Sequence, residues 1–346
     1  KTLSMIKNDS VIDPLHENIL PKWSSLLGVT HHSATQLLMS DGPYFFRYGE
    51  LSQEERRRIP SNSQMKAGVA VGDILQEYYA DTIWKINPLT KKLMPYANAK
   101  KGNNKDELIK GALEKFNKYV PIEPKDQEKF EKYQNEIIEV ANNGFLAMEK
   151  LGVDGLYPIT CEEQISIEQR ITDLLLPYVG RTDFAIGGVR VDNNVTDAPI
   201  PSFIVELKTQ WSKLGKIKKN GERSFISLHA PATPSYNHVA QCAVYAAKYD
   251  FKVPVKLVYV TKTGYEIFDS ESSSLLTTSE LQKSFKNLNS IARRREKIFG
   301  MFENQTRDNF IKSCASIIDP NWDHPYAWHG IGDEFLFRAK KLWNFT

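Results

Sequence analysis

The chain has 346 residues, of which 41% are hydrophobic, and a formal net charge of +3. This composition suits one large folded unit, or a core with helical additions, and the charge alone does not identify a nucleic-acid-binding protein. The sequence has no apolar run of ~18–20 residues and no apolar secretion signal near its start, so we expect a cytoplasmic protein without membrane partners. Three scattered cysteines, Cys161, Cys242 and Cys314, argue against a disulfide framework.

Residues 1–155 have helical periodicity and are predicted to form an N-terminal helical region that packs on a core. A short helix is expected at Ser33–Met39 with its first residue as the N-cap, and the aromatic residues that follow are interpreted as core. An amphipathic helix with a solvated acidic face is predicted at Val71–Trp84. The segment 106–150 is predicted to be helical, with a break at Pro121–Pro124.

Two predicted strands contain charged residues. Phe203–Thr209 is apolar and β-branched, which is typical of a buried strand, yet it includes Glu206 and Lys208. Side chains two residues apart on a strand point to the same face, so these two charges lie together. Thr182–Ile186 is a second predicted strand, and pairing of the two strands would bring Asp183 beside Glu206.

Neighbouring carboxylates are the hard oxygen ligands that Mg²⁺ and Mn²⁺ prefer, and a buried ion is costly unless it is paired or bound to a metal. One or two such ions can activate water and stabilise the leaving group in phosphodiester hydrolysis. Lys208 would then orient the attacking water and face the phosphate. The alternative interpretation is a structural ion pair between Glu206 and Lys208; the ordered set of motifs favours the metal site.

The segment after Thr209 exceeds the ~12–15 residues usual for a loop, so it is interpreted as a functional or mobile segment over the substrate path. One basic run lies in this segment, and a second, Arg293–Arg295, lies on a helix predicted at Ser279–Phe302. Each run fits either a solvated surface or a set of phosphate contacts. The basic residues after Thr209 are Lys213, Lys216, Lys218, Lys219 and Arg223.

An apolar helix is predicted at His238–Ala247. Gln241 and Tyr245 are four residues apart on it and therefore share a face. They could clamp a phosphodiester backbone or support the lysine of the strand. A strand pair is predicted at Val255–Thr261 and Tyr265–Phe268.

The motifs follow each other as Gly-Arg-Thr-Asp at 180–183, Val-Glu-Leu-Lys-Thr at 205–209 and Gln-x-x-x-Tyr at 241–245. This order resembles the PD-(D/E)XK nuclease superfamily in its RecB-type exonuclease branch, over residues 160–270. The resemblance implies Mg²⁺- or Mn²⁺-dependent cleavage of DNA from an end. Some relatives carry an iron–sulfur cluster, for which three cysteines do not supply an all-cysteine ligand set.

The fold that the resemblance implies is α/β, with a restriction-endonuclease-like αβββαβ core and a mixed central sheet at 156–270. Helical additions are expected at 1–155 and 271–346, and the three segments are expected to form one compact unit. The sequence has no phosphate-binding Gly-x-x-x-x-Gly-Lys-Ser/Thr loop, so no nucleotide cofactor is expected.

Motif matching assigns roles to individual residues. The catalytic residues that it implies are Asp183, Glu206, Lys208, Gln241 and Tyr245. Asp183 and Glu206 would be metal ligands, with the main-chain carbonyl of Leu207 as a further one. The candidates for contacting nucleic acid are Arg181, Thr209, Lys213, Lys216, Lys218 and Lys219.

The family also carries an upstream carboxylate, for which this sequence offers Glu162 or Glu163. Alternation along Cys161–Ile167 puts Glu163 on the apolar face and Glu162 on a face that looks solvated. We therefore expect Glu163 to be the additional metal ligand, against the alternative of a simple edge-strand charge.

The chain departs from the family at one position. Many relatives have a histidine ligand four residues after a glycine on an early helix, and Gly72 occupies that place here. Asp73 or Glu77 would substitute as an oxygen ligand, or both belong to a solvated acidic face. The number of metal ions, one or two, stays open.

The sequence thus predicts a deoxyribonuclease, an exonuclease on single-stranded or end-frayed DNA in recombination, replication or nucleotide salvage. It would work alone or with a separate helicase or recombinase. The alternatives are an endonuclease of the same superfamily and a nuclease-like DNA-binding module without catalysis, the latter suggested by Gly72.

Overall fold

The computed structural model describes residues 20–59, 61–86, 93–97, 104–121, 123–153, 159–187, 200–324, 327–328 and 331–344. Over these ranges the chain is α/β, with a mixed sheet and surrounding helices, as predicted. No helix among the described residues is long and apolar enough to cross a membrane.

Seven strands form one sheet in the order β2, β1, β3, β4, β5, β8, β9, and β6 and β7 form a separate antiparallel pair. The strands are β1 Thr82–Ile86, β2 Leu93–Ala97, β3 Ile159–Ile167, β4 Tyr178–Ile186, β5 Phe203–Thr209, β6 Lys213–Ile217, β7 Arg223–Ile226, β8 Val255–Thr261 and β9 Gly264–Phe268. The sheet is mixed because β1 pairs with β3 and β5 with β8 in parallel, whereas β4 with β5 and β8 with β9 are antiparallel.

Helices account for much of the remaining described chain. They are α1 Lys22–Leu27, α2 Ala34–Leu37, α3 Asp41–Phe45, α4 Gln53–Arg58, α5 Ser63–Tyr79, α6 Lys105–Phe116, α7 Pro124–Lys150, α8 Gln169–Thr172, α9 Tyr236–Lys248, α10 Thr278–Gly300, α11 Arg307–Ile317 and α12 Asp333–Leu342. The predicted helices that correspond to α2, α6, α7, α9 and α10 are confirmed, and Ser33 caps α2 by accepting a hydrogen bond from the Gln36 backbone. The predicted core position of the aromatic run is also confirmed, since Tyr44, Phe45 and Phe46 are buried.

Two sequence predictions need correction. The helix expected at Val71–Trp84 ends at Tyr79, and the chain then enters β1, because Thr82 and Ile83 are β-branched and favour a strand. The long segment after Thr209 is not an irregular loop: it contains the β6–β7 hairpin. Gly221, at φ +83°, supplies the left-handed turn residue of this hairpin.

The chain divides into two compact units. The first comprises the described residues within 61–165 and 181–281, and the second those within 12–60, 166–180 and 282–346. This division does not follow the predicted boundaries at 155 and 270. Its physical reason is that α5, α6 and α7 share one hydrophobic core cluster with β4, β5 and β8 in the first unit.

In the second unit, the run predicted as a possible phosphate contact is largely structural. Arg295 is 2% exposed, and its guanidinium donates to the Asp41 carboxylate at 2.8 Å and to three main-chain carbonyls of residues 36–39. Arg294 also pairs with Asp41, at 2.6 Å. Glu296, which is buried too, accepts from the backbone N–H groups of residues 175 and 176 and contacts His32, each at 2.9 Å.

Candidate functional site

Strand pairing brings the two predicted acids together. β4 and β5 are antiparallel neighbours in which Phe184 faces Val205 across the ladder, so Asp183 lies beside Glu206. The Oδ2 atom of Asp183 accepts a hydrogen bond from the Leu207 backbone N–H at 2.7 Å. The predicted juxtaposition of Asp183 and Glu206 is therefore present in the structure.

Glu206 is a buried carboxylate with one satisfied oxygen. Its side chain is 3% exposed, and its Oε1 atom forms an ion pair with Lys208 Nζ, as expected for residues on the same face of a strand. Its Oε2 atom is buried and has no hydrogen-bond partner among the residues that the structure describes. A buried carboxylate oxygen without a donor is unfavourable, and a bound cation would satisfy it.

The protonation of the cluster follows from burial and from mutual charge. Burial raises the pKa of Asp183 well above its usual value, and the charge of Glu206 raises it further. For Lys208, burial favours the neutral form, but the charges of Glu206 and Asp183 outweigh it and raise the pKa. Lys208 is therefore charged in this arrangement, and the two neighbouring carboxylates stabilise its positive charge.

Helix α9 places its predicted motif next to the same acids. Tyr245 is buried and its hydroxyl donates to the main-chain carbonyl of Arg181 at 2.7 Å, which ties the helix to β4. Burial, and then the charges of Glu206 and Asp183, raise the pKa of the Tyr245 hydroxyl well above its usual value. Gln241 is half-buried one turn earlier on α9. Through its hydrogen bond to the Arg181 carbonyl, Tyr245 holds β4, the strand that carries Asp183, in position.

The structure places Glu162, and not the predicted Glu163, among the described residues that line the cavity near Asp183. Glu162 accepts a hydrogen bond from Gln76 at 3.0 Å and lies 3.6 Å from the Arg181 guanidinium. Glu163 is half-buried near Lys248, and burial raises its pKa. The cause is local: Glu162 has a left-handed φ of +55°, which breaks the alternation that the prediction assumed.

An open cavity of about 560 Å³ in the first unit is lined by Asp183 and Lys208, whereas Glu206 is not among its described lining residues. Helix α5 and its N-cap form one wall, and the ends of β3, β4 and β5 form the other. The described lining residues are Asn62, Gln64, Met65, Gly68, Val69, Gly72, Asp73, Gln76, Glu162, Asp183, Leu207, Lys208, Thr209 and Trp211. The cavity therefore gives a ligand access to the acid and lysine cluster.

Gly72, which occupies the place of a histidine in the nuclease superfamily that the sequence resembles, lies in this cavity wall. A Cβ atom at Gly72 would meet no atom within 4 Å, so the helix leaves open space there. Asp73, one of the proposed substitutes, also lines the cavity, and Glu77 is not among the described lining residues. The ammonium of Lys115 lies 3.8 Å from Asp73 and 3.6 Å from Glu77, which fits a solvated acidic face for these two residues.

The predicted nucleic-acid contacts fall into two groups. Thr209 lines the cavity, and Arg181 lies at its edge beside Glu162 with about half of its side chain exposed. The four lysines lie on the β6–β7 hairpin or its turn and are exposed; Lys218 lies 3.9 Å from Glu222. They are Lys213, Lys216, Lys218 and Lys219.

Sequence reasoning missed two residues that shape the site. Gln76 on α5 reaches Glu162, and the helical spacing of residues 68, 72 and 76 on one face was the available signal. Glu136 on α7 is 1% exposed and binds the Ser212 hydroxyl at 2.5 Å and Lys262 at 3.2 Å. This fixes the chain after β5, and no sequence pattern pairs positions so far apart.

The donor set fits a hard cation but is sparse. Among the described residues there is no group of three or more His, Cys, Asp or Glu side chains arranged to hold a metal. The pair Asp183 and Glu206, with its unsatisfied Oε2 atom, supplies the oxygen chemistry that Mg²⁺ and Mn²⁺ prefer. Comparison with known proteins adds nothing to this: no protein family, curated protein or solved structure matches the chain.

Proposed function

We propose that the chain is a metal-dependent deoxyribonuclease built on a restriction-endonuclease-like core, acting as an exonuclease on single-stranded or end-frayed DNA. The observation that carries the proposal is the meeting of Asp183, Glu206 and Lys208 on adjacent strands, with Asp183 and Lys208 lining an open cavity. A structural ion pair between Glu206 and Lys208 alone would not need a second acid beside it, nor leave a buried oxygen unsatisfied.

Mg²⁺ or Mn²⁺, as one or two ions, would be held by Asp183, Glu206 and the main-chain carbonyl of Leu207. Glu162 takes the place of Glu163 as the upstream carboxylate in this proposal, because it lines the cavity. When bound, the metal would lower the pKa of water and neutralise charge on the phosphate and the leaving oxygen.

The side chains of the protein have complementary tasks. Lys208, kept charged by Glu206 and Asp183, orients the attacking water and attracts the phosphate. Tyr245 holds the backbone of β4 and thereby the direction of Asp183. Arg181, Thr209 and the four hairpin lysines would bind the DNA backbone, which makes binding sensitive to salt.

The test is incubation of the purified chain with Mn²⁺ and end-labelled linear or closed circular single-stranded DNA. An exonuclease degrades the linear form and leaves the circle intact, which is the expected result. Opening of the circle would assign an endonuclease of the same type. Intact DNA in both lanes would contradict a nuclease.

A DNA-binding module without catalysis is the second candidate. The observations that favour it are the sparse set of metal-ligating side chains among the described residues and Gly72 at the histidine position. It predicts salt-dependent DNA binding that Mn²⁺ does not change. Either protein would act alone or with a separate helicase or recombinase, since the sequence has no phosphate-binding loop of its own.

A further inference from the structure

The cavity has two chemically different walls. One face of α5 lines it, with the helical spacing i, i+3, i+4, i+7, i+8, i+11. The residues of this face are Met65, Gly68, Val69, Gly72, Asp73 and Gln76. The opposite wall holds the charged groups Asp183, Glu162 and Lys208. A ligand that fills the cavity therefore meets the charged groups of the strands on one side and, besides Asp73 and Gln76, the apolar residues Met65 and Val69 of α5 on the other.

The apolar half of the α5 wall is exposed. Met65 and Val69, one turn apart, are each 60% exposed, whereas the opposite face of the same helix supplies the buried residues Val71 and Ile74. Covering an apolar side chain of this size releases water and is favourable. Gly72 adds no side chain beside them and the space above it is open, whereas Gly68 lies against β5, where a Cβ atom would be 3.1 Å from Thr209 Oγ1. The wall can thus accept a flat apolar surface.

We propose that Met65 and Val69 form a contact surface for one unpaired nucleobase of the DNA strand whose phosphate lies at Asp183 and Lys208. A nucleotide has the required division into a charged phosphate and an apolar base face. The lining of α5 from Met65 to Gln76 extends over about 16 Å at 1.5 Å per residue, which gives room for a base beside the phosphate.

The proposal restricts the substrate. The face of a paired base is covered by its stacked neighbours, and only an unstacked base offers that face to a side chain. Methionine is flexible and adapts to surfaces of different shape, so this contact tolerates all four bases. The inference rests on the proposed function, because it takes the phosphate position from the acid and lysine cluster. It adds that the strand is single-stranded at this position.

The test is an abasic scan. A fluorescently labelled single-stranded 12-nucleotide DNA is prepared with one abasic site at each position in turn, and its affinity is measured by anisotropy in the presence of a metal chelator. In the wild-type chain, one or two adjacent abasic positions should weaken binding about tenfold. In the double variant Met65→Ala and Val69→Ala, the same positions should change binding by no more than about twofold.

The matched control is the double variant Ile138→Ala and Leu146→Ala on α7. These side chains are also large, apolar and exposed, at 42% and 49%, and are not among the described residues that line the cavity. In this control, the same abasic positions should weaken DNA binding by the same factor as in the wild type. Because all four side chains are exposed, both variants should melt within about 2 °C of the wild type.

The outcomes separate the inference from the proposed function. The base contact is overturned if the same abasic positions still weaken binding in the Met65 and Val69 variant. It is also overturned if no abasic position weakens binding to the wild type. Dimerisation of the wild type that this variant abolishes would assign the wall to a second copy of the chain and also overturn it. Cleavage of the unmodified DNA with Mn²⁺ is measured in parallel. If one or two abasic positions weaken binding but the DNA is not cleaved, the nuclease proposal is contradicted and the base contact is supported.

Discussion

Both units bury charged groups, but they satisfy them differently. In the second unit, Arg295 donates to Asp41 and to three main-chain carbonyls, and both oxygens of Glu296 accept hydrogen bonds from backbone N–H groups. In the first unit, Glu206 has a buried oxygen without a hydrogen-bond partner among the described residues, and the neighbouring acid, Asp183, lines an open cavity. Burial of charge alone therefore does not mark a functional site; incomplete satisfaction beside a cavity does.

Glu136 sharpens this comparison inside the first unit. It is buried to the same extent as Glu206, but its oxygens receive the Ser212 backbone N–H, the Ser212 hydroxyl and the Lys262 ammonium. It holds the chain that follows β5. Glu136 and Glu206 thus form a natural pair of structural and functional carboxylates on which the account can be tested.

The largest expected effect is on stability in the second unit. Arg295→Ala should lower the free energy of unfolding by about 3–5 kcal/mol, because it leaves Asp41 and buried carbonyls without their donor. Arg294→Ala is the matched control, since Arg294 shares the Asp41 partner but is more than half exposed. It should cost less than about 1 kcal/mol. Chemical denaturation measures both, and equal losses would remove the contrast between the two arginines.

The next effect is on cleavage in the first unit. Lys208→Ala should slow DNA cleavage at least about a hundredfold, because it removes the charge that orients water and attracts the phosphate. DNA affinity should change by less than about threefold, since one contact is lost among several. Lys256→Ala is the control: Lys256 is a half-buried lysine on β8, paired with Asp269 at 3.4 Å. Wild-type cleavage by the Lys208 variant would refute its assigned role.

A smaller effect distinguishes the two adjacent glutamates. Glu162→Gln should reduce the cleavage rate about tenfold, because Glu162 lines the cavity and its charge contributes to the site. Glu163→Gln should stay within about twofold of the wild type, since Glu163 lies near Lys248 instead. Single-turnover rates measured with Mn²⁺ decide the matter. If the cleavage rate falls further in the Glu163 variant than in the Glu162 variant, Glu163 is the upstream acid, as strand alternation predicted.

The smallest effect is a gain. Gly72→His should tighten Mn²⁺ binding about fivefold, because the open space above Gly72 admits an imidazole, which adds one nitrogen donor to the carboxylate oxygens that Mn²⁺ prefers. Gly72→Ala is the control, since it also replaces the glycine with a residue that favours a helix more than glycine does, but adds no ligand. Calorimetry compares the two. Equal Mn²⁺ affinity in both variants would place Gly72 too far from the metal site for the family histidine to act there.

Much of the site could be predicted from the sequence because it depends on short-range rules. The period of two on β5 places Glu206 and Lys208 on one face, and the spacing of four on α9 places Gln241 and Tyr245 together. Pairing of adjacent strands then brings in Asp183. These relations need no knowledge of distant packing.

The remaining features depend on local backbone exceptions or on distant contacts. The left-handed φ at Glu162 interrupts the regular alternation of β3, and no residue type in that stretch indicates it. The β6–β7 hairpin was predictable in principle, because Asn220-Gly221 is a strong turn signal between two short β-prone segments. The contacts of Glu136 with Ser212 and Lys262 join residues far apart in sequence, which a single sequence does not reveal.

The central claim is that the unsatisfied oxygen of Glu206 marks a metal site, and calorimetric titration with Mn²⁺ tests it most directly. The wild-type chain should bind one or two ions, Glu206→Gln should weaken that binding at least about tenfold, and Glu136→Gln should bind as the wild type does. No Mn²⁺ binding by the wild type, or equal binding by the Glu206 variant, would contradict the account.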